Sequence, residues 1–181
     1  MRVEATGIAG LHVLLAEPIH DERGLFARTY CRQEFAAGGL AFEPVQMSTS
    51  FNRVAGTLRG MHWQVAPGAE TKLVRVTRGR VFDVVVDLRA DSPTRHSCFG
   101  LQLDAESRNA LLIGPGLAHG FITLDDSTEV LYAMDAPHAP AYARGARWDD
   151  PTLRIAWPRA PEVISERDRH WPDFVPGEAF R

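Results

Sequence analysis

Short runs rich in β-branched and aromatic residues recur along this chain, with little helical periodicity between them, and that pattern limits its fold more than any other feature. KLVRV (72–76), a turn at Thr77-Arg78-Gly79 and VFDVVVDL (81–88) read as the clearest hairpin. Further strands are expected around 46–51, 57–64, 97–103, 109–113, 119–124 and 128–134. Turn chemistry separates them at Ala66-Pro67-Gly68, Asp91-Ser92-Pro93, Gly114-Pro115-Gly116 and Asp125-Asp126. A parallel α/β sheet needs helical crossovers, and none is visible between these runs. The pattern predicts an all-β fold, an antiparallel barrel or sandwich with few short helices. One helix fits CRQEFAAGGL (31–40), stopped by Gly38 and Gly39, and a helical turn can start within ISERDRH (164–170).

A length of 181 residues suits one compact domain over 1–181, and no repeat, low-complexity tract or linker divides it. The formal charge of -3 argues against nucleic acid as the main partner, because no basic excess exists to neutralise phosphates. A local cationic cleft for one small anion stays compatible with it. No apolar run reaches the length of a membrane span. MRVEATGIAGLHVLLAEP, with its early Glu4, does not read as a signal peptide. Cys31 and Cys98 lack metal-type or redox-type spacing and read as packing residues. These features favour the cytoplasm.

Several side chains carry chemistry. GTLRGMHWQ (56–64) puts His62 and Gln64 on one face of a strand and Arg59 on the other, unless a bulge at Gly60 brings Arg59 round. Histidine is the usual proton acceptor near neutral pH, and it is equally a common buried hydrogen-bonding residue. Lys72 shares a face with Val74 and Val76. It either meets an anion inside or stands in solvent on the other side. His119 follows the turn in GPGLAHGF (114–121), and Tyr132 aligns with Val130 and Met134 in EVLYAM (129–134). A buried tyrosine is most often core with a satisfied hydroxyl, although its phenol can donate a proton. Asp168 fits a capping box begun by Ser165. Small β-barrels often hold a metal with paired histidines, but here His62-Trp63-Gln64 puts an amide where the second histidine is expected. An amide is a poor ligand for a transition metal, so no metal is expected.

Read in order, these pieces resemble the dTDP-4-dehydrorhamnose 3,5-epimerase family, a branch of the cupin barrels, also called jelly rolls. The matching segments are DERGLF (21–26), LRGMHWQ (58–64), KLVRVTRGRVFDVVVDLR (72–89), SPT (92–94), AHGF (118–121), RWDDP (147–151), IAWP (155–158) and SERD (165–168). The ordered set spans nearly the whole chain, which makes it far more specific than any one piece. The resemblance implies removal of a proton beside a 4-keto group and its return to the opposite face of a nucleotide-linked 4-keto-6-deoxy sugar. It assigns His62 as base, Asp168 as the carboxylate behind it, Lys72 opposite the C4 oxygen and Tyr132 as the acid across the sugar. Arg59 and Arg167 match diphosphate or nucleotide positions. Gln46, His119 and His138 fall at pocket positions. Arg23 and Phe26 match a segment that in relatives reaches a neighbouring subunit's site, which implies a homodimer. No cofactor is implied.

The chain departs from the family pattern in three places. Gln46-Met47-Ser48-Thr49-Ser50 stands where Gln-x-Asn-x-Ser is common, Arg28 replaces a common glutamate, and Pro137-His138 replaces a tyrosine pair. These departures bear on the base, the sugar and the number of carbons inverted, and leave the proton-transfer set intact. The alternatives are a sugar-nucleotide 3,4-ketoisomerase and a non-catalytic sugar-binding cupin.

Overall fold

The computed structural model describes residues 1–175, so the last six residues of the expected 1–181 domain lie outside it. The chain begins with β1 (Arg2–Ala5), β2 (Leu11–Leu15), β3 (Ile19–Asp21), β4 (Gly24–Phe26) and helix α1 (Arg32–Ala37). It continues through β5 (Gln46–Asn52), β6 (Thr57–Gln64), β7 (Lys72–Arg78), β8 (Arg80–Asp87), β9 (Cys98–Asp104) and β10 (Ala110–Ile113). Then come β11 (Leu117–Thr123), β12 (Thr128–Met134), β13 (Ala143–Gly145), β14 (Val163–Ile164) and helix α2 (Glu166–Arg169). One six-stranded sheet runs β1-β2-β10-β7-β12-β5; a second runs β13-β6-β11-β8-β9, with β14 added to β6 in parallel. β3 and β4 form a separate hairpin.

Strand alternation explains why the two sheets face each other. Val74, Val76, Leu111, Ile113 and Val130 project from the first sheet into one core with Val81, Val85, Leu117 and Phe121 of the second. Fully burying each such side chain contributes roughly 1.5–3 kcal/mol. The opposite face of the first sheet is covered by Phe35 of α1 with Leu40 and Phe42, against Leu14, Leu73 and Ala133. The opposite face of the second packs Met61, Trp63, Val84 and Val86 against Leu153 and Phe174. The result is a cupin-like double sheet, in agreement with the all-β expectation.

The expected hairpin over 72–88 is not one. β7 pairs with β10 and β12, whereas β8 pairs with β9 and β11, so consecutive strands belong to opposite sheets. Gly79 makes the corner with φ +75°, where an added Cβ would sit 2.5 Å from Thr128 Oγ1. Both strands bury valines on the same core, and apolar content alone does not distinguish pairing across a sheet from packing between sheets.

The second glycine that matters is Gly60. His119 pairs with His62 and Phe121 with Arg59, so three residues of β6 span what two span on β11. That extra residue is a bulge, and it puts Arg59 and His62 on the same inward face. Gly60 has φ +130°, and a Cβ there would lie 2.5 Å from Gly120 Cα. Because the obstacle is backbone, Gly60→Ala is expected to cost at least ~2 kcal/mol of unfolding free energy, measurable by urea denaturation. A loss within the error of the measurement would contradict this account of the bulge.

Candidate active site

Between the sheets lies a cavity of about 420 Å³ whose walls include Ser50, Arg59, His62, His119, Tyr132 and Asp168. His62 and His119 come from neighbouring strands of one sheet, and Ser50 and Tyr132 from neighbouring strands of the other. Asp168 arrives by a separate route. β14 runs parallel to the start of β6, with Val163 beside Thr57 and Ile164 beside Leu58, and α2 follows at once.

Ser165 caps α2, its Oγ accepting the Asp168 N–H at 3.1 Å. The cap engages the Asp168 backbone N–H, which leaves its carboxylate free for another partner. Its Oδ1 lies 2.6 Å from His62 Nε2, and Oδ2 accepts the Gly60 N–H at 3.3 Å. Burial alone would push this carboxyl up, but the His62 hydrogen bond and charge, with the Gly60 N–H, outweigh it and hold the carboxyl below its ordinary range. The His62 side chain is 40% exposed while that of Asp168 is 6% exposed. With Nε2 engaged by the carboxylate, Nδ1 is the nitrogen left to accept a proton.

On the opposite sheet, Tyr132 is held with its hydroxyl protonated. Burial pushes its phenol well up, the charge of Asp83 adds to this, and Arg59 opposes it. Asp83 itself is wholly buried and binds His119 Nε2 through both oxygens, at 2.9 and 3.0 Å. Burial raises its carboxyl, against the opposing effects of His119 and Lys72. The His119 ring meets Tyr132 edge-on, with centroids 6.0 Å apart. Asp83 escaped the sequence reading. Its signal was an acid in VFDVVVDL at the same parity as Val81 and Val85, an inward position that a charge occupies only with a partner.

The remaining candidates are placed unevenly. Arg59 lines the cavity and donates from Nε to Asn52 Oδ1 at 2.8 Å. Asn52 is 2% exposed, and its amide is fixed by the Ser50 and Thr128 carbonyls. Lys72 faces inward, not into solvent, with its side chain 12% exposed and Nζ 2.9 Å from Glu70 Oε1. Gln46 accepts the His138 N–H at 3.0 Å, while the His138 side chain is exposed. Arg167 lies over the Trp171 ring, 4.9 Å from its centroid. Arg23 is exposed and pairs with Asp21, and Phe26 is 70% exposed on the β3–β4 hairpin. Lys72, Gln46, Arg167, His138, Arg23 and Phe26 are not part of the cavity wall. Gln64 spends both ends of its amide on loops, accepting from Ala139 N–H and donating to Gly68 O. Among the described residues, no three His, Cys, Asp or Glu side chains converge as a metal site.

Residues 5–175 match the family model described as dTDP-4-dehydrorhamnose 3,5-epimerase. The chain belongs to that family. It is 40% identical to the dTDP-4-dehydrorhamnose 3,5-epimerase of Pseudomonas aeruginosa over 182 residues, covering 98% of this chain and 99% of that one. A relative from Streptomyces niveus named dTDP-4-dehydrorhamnose 3-epimerase is 37% identical over 93% of this chain and 82% of its own. A solved structure of the Bacillus anthracis 3,5-epimerase with TDP and PPi bound superposes with a TM-score of 0.92 at 37% identity, covering 96% of this chain and 99% of that one.

The Asp168 environment sets a sign for acid stability. Its folded value lies below the ordinary 3.8, so the unfolded chain takes up the proton first as pH falls. The stabilisation is complete above that value and is lost as pH drops through the folded one. Asp168→Asn keeps the N–H that Ser165 caps and removes the titration. Its stability is therefore expected to fall less steeply than wild type below pH ~4 in acid denaturation. Superimposable acid limbs would contradict this placement.

Proposed function

We propose that the protein inverts C3, C5 or both of a dTDP-linked 4-keto-6-deoxy sugar, with His62 as base and Tyr132 as acid. The observation that carries this reading is their placement on facing sheets of one cavity, with Asp168 behind the imidazole. A C–H beside a ketone is acidic because its electron pair can pass to the carbonyl oxygen as an enolate. His62 Nδ1 takes that proton. Asp168 keeps the other nitrogen in the N–H form and stabilises the imidazolium that results. Lys72, on the inner face of the same sheet as Tyr132, is assigned the positive charge for the enolate oxygen, a role that requires its ammonium to turn from Glu70 into the cavity. The Tyr132 hydroxyl then delivers a proton to the opposite face of the carbon. One inversion leaves an imidazolium and a phenolate, which proton exchange with solvent resets.

Arg59 suits the diphosphate, since a guanidinium offers paired N–H donors to phosphate oxygens, and Asn52 fixes its direction. Gln46, His119, His138 and Arg167 are assigned to the sugar and nucleotide ends. Arg23 and Phe26 are assigned to the cavity of a second copy in a homodimer. The exposed cross-strand pair Ile19 and Phe26, 71% and 70% accessible, supports that assignment as apolar surface left for a partner. No helix among the described residues is long and apolar enough to cross a membrane, and the cytoplasm is the proposed location. With a lysine in the cationic role and Gln64 tied to two loops, activity is expected to survive exhaustive chelation; loss with EDTA and recovery with a divalent ion would overturn this.

The extent of inversion is the finer question. The family includes relatives named for 3,5- and for 3-epimerisation, and Pro137-His138 stands where a tyrosine pair is common. The test is reaction with dTDP-4-keto-6-deoxyglucose in D₂O, followed by NMR of the recovered sugar. Deuterium at C3, C5 or both with an inverted product supports epimerisation, and the labelled carbons state its extent. A product with its keto group moved to C3 identifies a ketoisomerase, and no exchange at all identifies a binding protein. His62→Asn and Asp168→Asn are each expected to slow exchange by at least ~100-fold. Near-native exchange in either variant would remove that residue from the mechanism.

A further inference from the structure

Arg75 takes no part in the site described above, and its surroundings are incomplete. It lies on the outer face of the first sheet, in the cross-strand row Ala110, Arg75, Leu131 and Thr49. It is only 9% exposed. Among the described residues, no carboxylate or hydrogen-bond acceptor is paired with its guanidinium, and Arg108 adds a like charge beside it. Burial first, and Arg108 second, push its pKa down from the ordinary arginine range. Arg89 shows what a satisfied counterpart looks like, gripping Asp87 with two hydrogen bonds of 2.9 and 2.8 Å.

Arg75 opens into a cavity of about 360 Å³ shared with Arg108, Thr77, Leu131, Leu25 and Thr29. A buried cation without a counter-charge is strongly disfavoured, and a guanidinium presents a planar fork of N–H donors that fits two oxygens of one acid group. We propose that Arg75 and Arg108 form an oxyanion site, separate from the epimerase cavity, filled by a carboxylate or phosphate group from outside the chain. The two residues come from β7 and from the loop before β10. The segment that follows the β3–β4 hairpin closes the third side.

One acid chemistry has two sources here. A free phosphate-bearing molecule fits the volume. A carboxylate on a second copy of this chain fits the surroundings, because Met47 and Phe51, 63% and 48% exposed, flank Thr49 on the same outer face. The second source rests on the homodimer reading; the first does not.

The experiment uses the full-length protein, inorganic phosphate against chloride at matched ionic strength, and the variants Arg75→Met and Arg108→Gln. Melting temperature and sedimentation equilibrium are the readouts. With a free oxyanion, phosphate raises the melting temperature saturably, and the rise disappears in both variants but survives in Arg59→Gln. With a second copy as source, phosphate has no saturable effect and both variants raise the dimer dissociation constant at least ten-fold. Arg108, being less buried, keeps the test open should Arg75→Met fail to fold. Unchanged assembly and unchanged phosphate response in the variants would overturn the proposal. So would an Arg75→Met protein that melts above wild type even in saturating phosphate, the result expected of a buried charge that no oxyanion compensates. A chain that is monomeric at every concentration would defeat the homodimer reading alone, and the phosphate response would still decide the site.

Discussion

The 2.6 Å hydrogen bond between His62 and Asp168 joins residues 106 positions apart, and much of the local architecture exists to make it. The bulge at Gly60 turns Arg59 to the inward face that His62 occupies, and the Gly60 N–H also reaches Asp168. The two-residue strand β14 lies parallel against β6, an addition that an antiparallel double sheet does not need for its own stability. Its effect is to deliver α2 to the cavity in one fixed position, with Ser165 closing the helix end at the residue whose carboxylate faces the histidine. A short helix of this kind is marginal alone, so its place is held by the strand before it and the hydrogen bonds from its third residue.

A cavity between two facing sheets also settles the division of labour. His62 comes from one sheet and Tyr132 from the other, which is the geometry that the proposed inversion demands. Titratable groups are kept in pairs around them: Asp168 with His62, Asp83 with His119, Glu70 with Lys72. In a poorly solvated space, such pairing fixes which groups carry protons. Burial of the Tyr132 phenol, with the charge of Asp83 second, keeps its hydroxyl protonated while Arg59 acts in the opposite sense.

Most of the strands were legible in the sequence, because half-buried strands alternate and turn residues punctuate them. The partners of those strands were not. KLVRV and VFDVVVDL look like a hairpin until the pairing is seen, since valines facing a common core carry no record of which sheet they belong to. β1 to β4, β13 and β14 were too short or too mixed in composition to stand out. Of the site, His62, Tyr132 and Asp168 were reachable by motif order, and the bulge was visible only as a glycine in the right place. Asp83 and Asn52 were missed because what fixes each lies far along the chain, His119 for Asp83 and the Thr128 carbonyl for Asn52. The ion pair between Lys72 and Glu70 was hidden because Glu70 precedes β7, where strand alternation does not apply.

In the proposed reaction two groups on opposite walls act on separate protons, His62 removing one and Tyr132 delivering another. Tyr132→Phe separates the two steps, because it removes the phenolic proton while keeping the ring against His119. In D₂O, the variant should still exchange the sugar C–H for deuterium, with His62 returning the label to the face it came from, while inverted product forms at least ~100-fold more slowly. Inversion at the wild-type rate in Tyr132→Phe would show that the second proton comes from elsewhere and would contradict the account.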